Sequence, residues 1–259
     1  MIMVYEHPLS PYAQKVKIAL VEKGVEFTTQ LPDLFGGGDA EFRSASPRRE
    51  VPALVDGDTT VFDSTIILEY SEDRWPTPPL LPEGAAARAR VRQIEEICDT
   101  YYEAITWAIA EIRIFQRATG AVADQMLARA TEQVAGVNTY LERQLGDAEW
   151  FTGARFGWGD LAAAPMVHGA AMSGNAPAAG GRLAAWLERV RARPSVATAF
   201  AQALESMTGF EMVPELVRSG VFVREYRDHR LEWMMRTGGA DVVLEGIRQR
   251  TIRFSDEFS

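Results

Sequence analysis

Met1-Ile-Met-Val-Tyr-Glu-His-Pro-Leu-Ser-Pro-Tyr-Ala-Gln-Lys-Val-Lys-Ile-Ala-Leu-Val-Glu-Lys-Gly24 is the stretch on which the fold turns. Ile2 to Tyr5 is a short β-favouring run closed by the turn signal His7-Pro8. Ser10-Pro11 then opens a helix: a serine hydroxyl can satisfy an orphan N–H, and proline at the first helical position has no N–H to leave unpaired. Ala13, Val16 and Leu20 share one face, and Gly24 is the stop. By itself Ser10 reads as a helix cap, although a strand-to-helix junction of this kind also favours a bound anion.

Outward from this unit, Val25 to Leu31 alternates apolar and polar residues as a strand, and Gly36-Gly-Gly38 reads as a flexible loop. Strand, helix and strand in succession imply a right-handed βαβ unit with parallel strands. Val51-Pro-Ala-Leu-Val55, the turn Asp56-Gly57-Asp58 and Thr59-Thr-Val-Phe62 form a hairpin signal, after which Asp63-Ser64 caps a helix over Thr65 to Tyr70. Trp75-Pro-Thr-Pro-Pro-Leu-Leu-Pro82 is too rich in proline for a regular element and reads as a linker. Beyond it strand signals fade. The pattern predicts one long helix over 85–117, a second over 123–145, and further helices near 160–172, 183–192 and 195–206.

The 259 residues carry 36 acidic against 27 basic side chains, a net charge of −9, which argues against non-specific nucleic-acid binding because phosphate contacts need a surplus of Lys and Arg. No run approaches the roughly 18 apolar residues of a membrane span and no signal peptide is evident, so the expected address is the cytoplasm, without membrane contact. Cys98 is the single cysteine, so no internal disulfide can form, and its helical setting predicts a buried thiol. His7, His168 and His229 are scattered without metal-ligand spacing, and no metal site is expected.

An α/β N-terminal part, a proline linker and a helical remainder together resemble the cytosolic glutathione transferases, and the motifs make the resemblance specific over about residues 2–207. Ser10-Pro-Tyr-Ala-Gln-Lys-Val16 is similar to the family's active-site turn in its serine form, as in the tau class, where omega-like members carry cysteine. Glu50-Val-Pro-Ala-Leu54 resembles the cis-proline segment, Phe62-Asp-Ser64 the acidic-plus-serine glutathione motif, and Phe156-Gly-Trp-Gly-Asp-Leu161 the capping segment of a later helix. The resemblance implies a thioredoxin-like α/β domain of order β-α-β-β-β-α over 1–76, a linker over 77–84, and an all-α substrate domain over 85–259 whose part 209–259 is a C-terminal extension. It also implies a homodimer, glutathione as co-substrate, and detoxifying transfer to an electrophilic carbon of a hydrophobic small molecule.

Carried over residue by residue, Ser10 would be catalytic, stabilising the glutathione thiolate. Arg49, Val51, Pro52, Asp63 and Ser64 would bind the rest of glutathione, with a cis peptide before Pro52. Tyr12, Tyr101, Ile105 and Trp233 would line the electrophile pocket. Tyr5 and Tyr12 are rival thiolate stabilisers, Tyr5 reading rather as a strand residue packed under the domain. Two positions depart from the family. Gly157 stands where a hydroxyl residue usually caps, leaving Asp160 to hold the helix start. Glu50 stands where lysine or glutamine is usual, and a carboxylate there would repel the glycyl carboxylate of glutathione. Arg48 or Arg49 could compensate, and Arg49 is preferred. An ether-cleaving lyase, a dehalogenase or an isomerase on the same scaffold, or a transferase-like binding module without turnover, are the alternatives. The tail predicts helices over 225–236 and 241–250 about Gly238-Gly239, set either over the electrophile site or against the outer surface.

Overall fold

The computed structural model describes residues 1–33, 40–222, 226 and 229–252. Four short strands, β1 (Ile2–Tyr5), β2 (Phe27–Gln30), β3 (Ala53–Asp56) and β4 (Thr59–Phe62), form one mixed sheet of order β2-β1-β3-β4. β1 runs parallel to β2, with Ile2 opposite Phe27, and antiparallel to β3, with Tyr5 opposite Ala53. β3 and β4 make the expected hairpin. Being central, β1 is covered on both faces, and Ile2, Val4 and Tyr5 are all buried, whereas the edge strand β2 keeps Thr28, Thr29 and Gln30 exposed.

Helix α1 (Pro11–Glu22) connects β1 to β2, and α3 (Ser64–Arg74) follows the hairpin. Between β2 and β3 lies α2 (Ala40–Ala45), which the sequence reading passed over as loop, so the order is β-α-β-α-β-β-α. Six residues are too few to show a helical period. Phe42 and Ala45 stabilise this turn by burial, Phe42 lying 5.2 Å from the Tyr5 ring between centroids. Tyr5 is therefore a packing residue, as its place in a strand suggested. Gly36 to Gly38 lie outside the described residues.

The remainder is helical: α4 (Ala85–Ile97), α5 (Glu103–Arg113), α6 (Gly120–Leu145), α7 (Trp158–Met172), α8 (Arg182–Arg191), α9 (Pro194–Glu205), α10 (Val213–Arg218), α11 (His229–Arg236) and α12 (Ala240–Arg248). The single long helix expected over 85–117 is two α-helices joined by a π-helical turn, Cys98–Tyr102, and it ends at Arg113. No glycine or proline marks the wide turn, so the pattern gives no warning of it. Cys98 is buried at its start, and burial raises its thiol pKa. In the tail, α10 was not anticipated, the described part of the next helix begins at His229, and residue 225 lies outside the described residues. Among the described residues no helix is long and apolar enough to cross a membrane.

Two buried carboxylates hold the helical part together and join it to the sheet. Asp160, at the start of α7, accepts from the N–H groups of Phe151 (2.8 Å), Gly157 (3.1 Å) and Thr152 (3.3 Å) and from Trp186 Nε1 (2.9 Å). A Cβ at Gly157 would lie 2.4 Å from the Leu80 carbonyl oxygen, so the linker's close approach requires glycine there. The missing cap hydroxyl is supplied instead by Thr152 Oγ1, which accepts from Gly159 N at 3.3 Å.

Glu95 on α4 accepts from Lys15 on α1 (2.7 Å), from Thr65 on α3 (2.9 Å) and from the indole N–H of Trp158 on α7. Lys15, fully buried, also bonds Asp99. Burial lowers the Lys15 pKa, but Asp99 and Glu95 outweigh it and the net direction is upward. One ammonium shared by two carboxylates leaves a buried surplus of negative charge. Burial, partly opposed by Lys15 and reinforced by Glu95, pushes the Asp99 carboxyl up to about 6, and its Oδ1 has no hydrogen-bond partner among the described residues.

Two outcomes test this arrangement. Asp160→Asn turns an all-acceptor group into one that presents N–H to N–H donors, and urea unfolding should show a loss of about 2–4 kcal/mol. For Asp99, the folded value of about 6 lies above the ordinary aspartate range, so the folded chain binds the extra proton. That contribution to stability is fully present below about pH 4 and is lost as pH rises through about 6. In thermal melts the advantage of wild type over Asp99→Asn should therefore shrink between about pH 4 and pH 7; an advantage that grows over this range would overturn the assignment.

Candidate functional site

Ser10 is the N-cap of α1: its Oγ accepts from Ala13 N at 3.3 Å, and its backbone N–H donates to His7 O at 2.8 Å. Capping uses one lone pair of the hydroxyl and leaves its proton to donate elsewhere, so the cap and the catalytic reading of Ser10 are compatible. One turn on, the Tyr12 hydroxyl donates to the Asp99 carbonyl at 2.6 Å, inside the π-helical turn. Burial first, then the negative charges of Glu103, Asp99, Glu50 and Asp63, raise the Tyr12 pKa. The Tyr12 proton is thus committed to a backbone oxygen.

The opposite side is the segment before β3. The Val51-Pro52 peptide is cis, as the motif implied. Neither the N–H nor the C=O of Val51 takes a hydrogen bond from any described residue. Just upstream, Ser46 Oγ donates to the Glu50 carbonyl (2.9 Å) and accepts from the Glu50 N–H (3.1 Å), closing the loop on itself. Arg48, not the preferred Arg49, faces the Glu50 carboxylate, with Nε 2.8 Å from Oε2 and Nη2 3.2 Å from Oε1. Arg49 sits exposed in the left-handed region (φ 56°).

At the start of α3, Asp63 is also left-handed (φ 73°) and caps the helix, its Oδ1 accepting from Thr65 N (3.0 Å) and Ile66 N (3.2 Å). Positive φ away from glycine is uncommon and concentrates at functional sites. Ser64 is 5% exposed, and its hydroxyl makes no hydrogen bond with any described residue. Two helix N-termini, an open peptide unit and an unengaged hydroxyl are thus set out on α1, α3 and the segment before β3. They offer N–H dipoles and donors to an anionic, peptide-like ligand.

The expected electrophile wall is only partly assembled. Tyr101 is half-buried against the helical core, and Ile105, at 7% exposure, is a core residue whose face of α5 points inward. Trp233 projects from α11 at 64% exposure. Trp107 and Glu111 on α5, and Phe115 just beyond its end, follow a spacing of four residues, with Glu111 buried and the two rings half-buried. Tyr226 of the tail donates to Glu111 Oε2 at 2.8 Å and sets its ring 4.6 Å from Trp107, edge to face, while Phe222 lies 6.1 Å from Phe115. Sequence reasoning missed Lys15, Glu95 and Asp99, because a charged residue in an amphipathic helix reads as solvated and only the packing shows it buried. Among the described residues no group of three His, Cys, Asp or Glu side chains is placed to hold a metal ion.

Family models described as "Glutathione S-transferase, N-terminal domain" and "Glutathione S-transferase, C-terminal domain" match residues 9–74 and 124–189. Glutathione S-transferase Z1 of Arabidopsis thaliana is 31% identical over 180 residues, covering 65% of this chain and 77% of the relative. Two crystal structures superpose closely. A glutathione S-transferase from Rhodospirillum rubrum F11 has a TM-score of 0.68 at 27% identity, covering 77% of this chain and 91% of that one. Rice GST1 in complex with glutathione has a TM-score of 0.69 at 27% identity, covering 83% and 97%. With the sheet order, the serine-capped turn and the Val51-Pro52 segment in place, the chain belongs to the glutathione S-transferase family of enzymes.

Proposed function

We propose that this protein binds glutathione between the α1 and α3 N-termini, and that Ser10 supports attack of its thiolate on an electrophilic carbon of a hydrophobic small molecule. The observation that carries the reading is the conjunction at Ser64 and Val51. A buried serine at a helix start keeps its hydroxyl unengaged beside a backbone unit whose N–H and C=O are both open. A γ-glutamyl carboxylate fits the first through hydroxyl and helix dipole, and the peptide-like cysteinyl unit fits the second. Asp63 would take the ammonium. Arg49 would take the glycyl carboxylate, and the Arg48 fork on Glu50 offsets the repulsion that Glu50 alone would exert.

In the reaction the thiol proton leaves to solvent, sulfur forms a bond to carbon, and the leaving group departs with its electron pair. A hydrogen bond to a charged group is worth about 1.5–3 kcal/mol and one pKa unit about 1.4 kcal/mol, so a Ser10 donor bond would lower the thiol pKa by roughly one to two units. The same reading divides the chain into a glutathione-binding domain over 1–76, a linker over 77–84 and a substrate domain over 85–259, acting as a cytoplasmic homodimer.

Calorimetry tests the cofactor. Glutathione should bind wild type in the micromolar to millimolar range, Ser64→Ala should weaken it by about tenfold or more, and Glu50→Gln should change it little because Arg48 already meets that charge. No binding by wild type, restored by Glu50→Gln, would put the non-enzymatic binding module first. Ser10→Cys tests the turn: mixed with glutathione disulfide, its thiolate should displace one glutathione and retain the other as a mixed disulfide, seen as an added glutathionyl mass. An unmodified variant protein would remove Ser10 from the sulfur's neighbourhood.

A further inference from the structure

The turn that carries Ser10 is held by side chains as well as by backbone. The Ser10 N–H donates to the His7 carbonyl at 2.8 Å, closing His7-Pro8-Leu9-Ser10 into a β-turn. Between those ends the Leu9 N–H donates to Nδ1 of the His7 ring at 3.2 Å. From α1, the buried side chain of Gln14 donates through Nε2 to the Pro8 carbonyl at 2.8 Å. The Gln14 tie does not titrate. The His7 tie does, because Nδ1 accepts from Leu9 only while it carries no proton. Protonation sets one N–H donor against another, and the tie is lost.

We propose that His7 is a positioning residue for Ser10: its neutral ring fixes the turn that presents the Ser10 hydroxyl, and its protonation loosens that turn. This rests on the proposed contact of Ser10 with the glutathione sulfur. Two charges act on the half-buried ring: Glu6, just past β1, favours the proton, and Lys17 on α1 opposes it. They are paired with each other at 3.0 Å, so their effects largely offset. Helix α9 presents a neutral amide here, Gln202 Oε1 lying 2.7 Å from Lys17 Nζ. Burial is the largest influence and holds the His7 pKa below the ordinary 6.5. The ring is therefore neutral at about pH 7 and above, and the turn loosens in acid.

The test compares His7→Asn, whose amide oxygen accepts from the N–H two residues on and takes up no proton, with His7→Leu, which offers no acceptor. Both are placed in full-length Ser10→Cys, and the pH dependence of alkylation by iodoacetamide gives the thiol pKa at position 10 without glutathione. Wild type, whose Cys98 is buried, is the blank. A thiol held at the helix start is acidified by the N–H groups there, so His7→Leu should raise its pKa by about one unit and His7→Asn should leave it nearly unchanged. Toward about pH 5 the rate with His7 should fall to about a third of the rate with Asn. Equal curves for the two substitutions, in variants whose thermal melts match, would overturn the proposal. If His7→Leu does not fold, His7 against Asn in acid decides, and a rate with His7 equal to or above that with Asn overturns it. The expected order in a protein that calorimetry shows to bind no glutathione would support the His7 turn while removing the glutathione reading.

Discussion

Three of the helices that frame the candidate site are tied to one buried carboxylate. Glu95 receives the ammonium of Lys15 from α1, the hydroxyl of Thr65 from α3 and the indole N–H of Trp158 from α7. The first two helices carry Ser10 and Ser64 at their N-termini, and the third belongs to the helical part. Taking a lysine and two carboxylates out of water is costly, and such a cluster adds little net stability over an apolar equivalent. Its effect is positional. Removing Lys15 would leave two buried carboxylates uncompensated, so α1 cannot drift relative to α4 without exposing or breaking the cluster.

That rigidity matters because the candidate site is made of parts that are ordinary one at a time. Ser10 and Asp63 are plain helix caps, and Val51 is a residue before a proline. They acquire a ligand's complementarity only when the helix starts are held around one cleft, with the open Val51 peptide between them and the Tyr12 hydroxyl drawn away onto the Asp99 carbonyl. The same close packing explains the departure at Gly157. The linker carbonyl of Leu80 fills the place a side chain would take, so the cap's hydroxyl comes from Thr152 and its carboxylate from Asp160. Likewise the unfavourable sign of Glu50 is met two residues away in sequence by Arg48, within a loop that Ser46 closes on both sides.

In the helical part, Tyr226 lies against Trp107 and Glu111, and Phe222 lies near Phe115. Most of α11 and α12 remains exposed, with Leu231, Trp233, Met235, Leu244 and Ile247 facing outward. Ile105 on α5 is buried in the helical core, and Trp233 on α11 is largely exposed.

Period, caps and turn residues are local, and the elements they govern were legible. Ile2 to Tyr5, the Ser10-Pro11 start, the Asp56-Gly57-Asp58 hairpin, the cap at Asp63 and most helices after Pro82 stand where the pattern put them. So, with the resemblance, does the cis peptide at Pro52. What was not legible had no local signal. Helix α2 exists because Phe42 finds Tyr5, the π-helical turn at Cys98–Tyr102 carries no breaker, and Arg48 rather than Arg49 meets Glu50 because of backbone direction. Lys15 reads as a solvated charge until α4 and α7 close over it. The sequence by itself determined which segments become helix or strand, because those choices are made within a few residues by sterics and hydrogen bonding. Only the tertiary structure decided which charges are buried, which hydroxyls stay unengaged and where the tail runs, because each depends on atoms brought together from positions as far apart as Arg48 and His229.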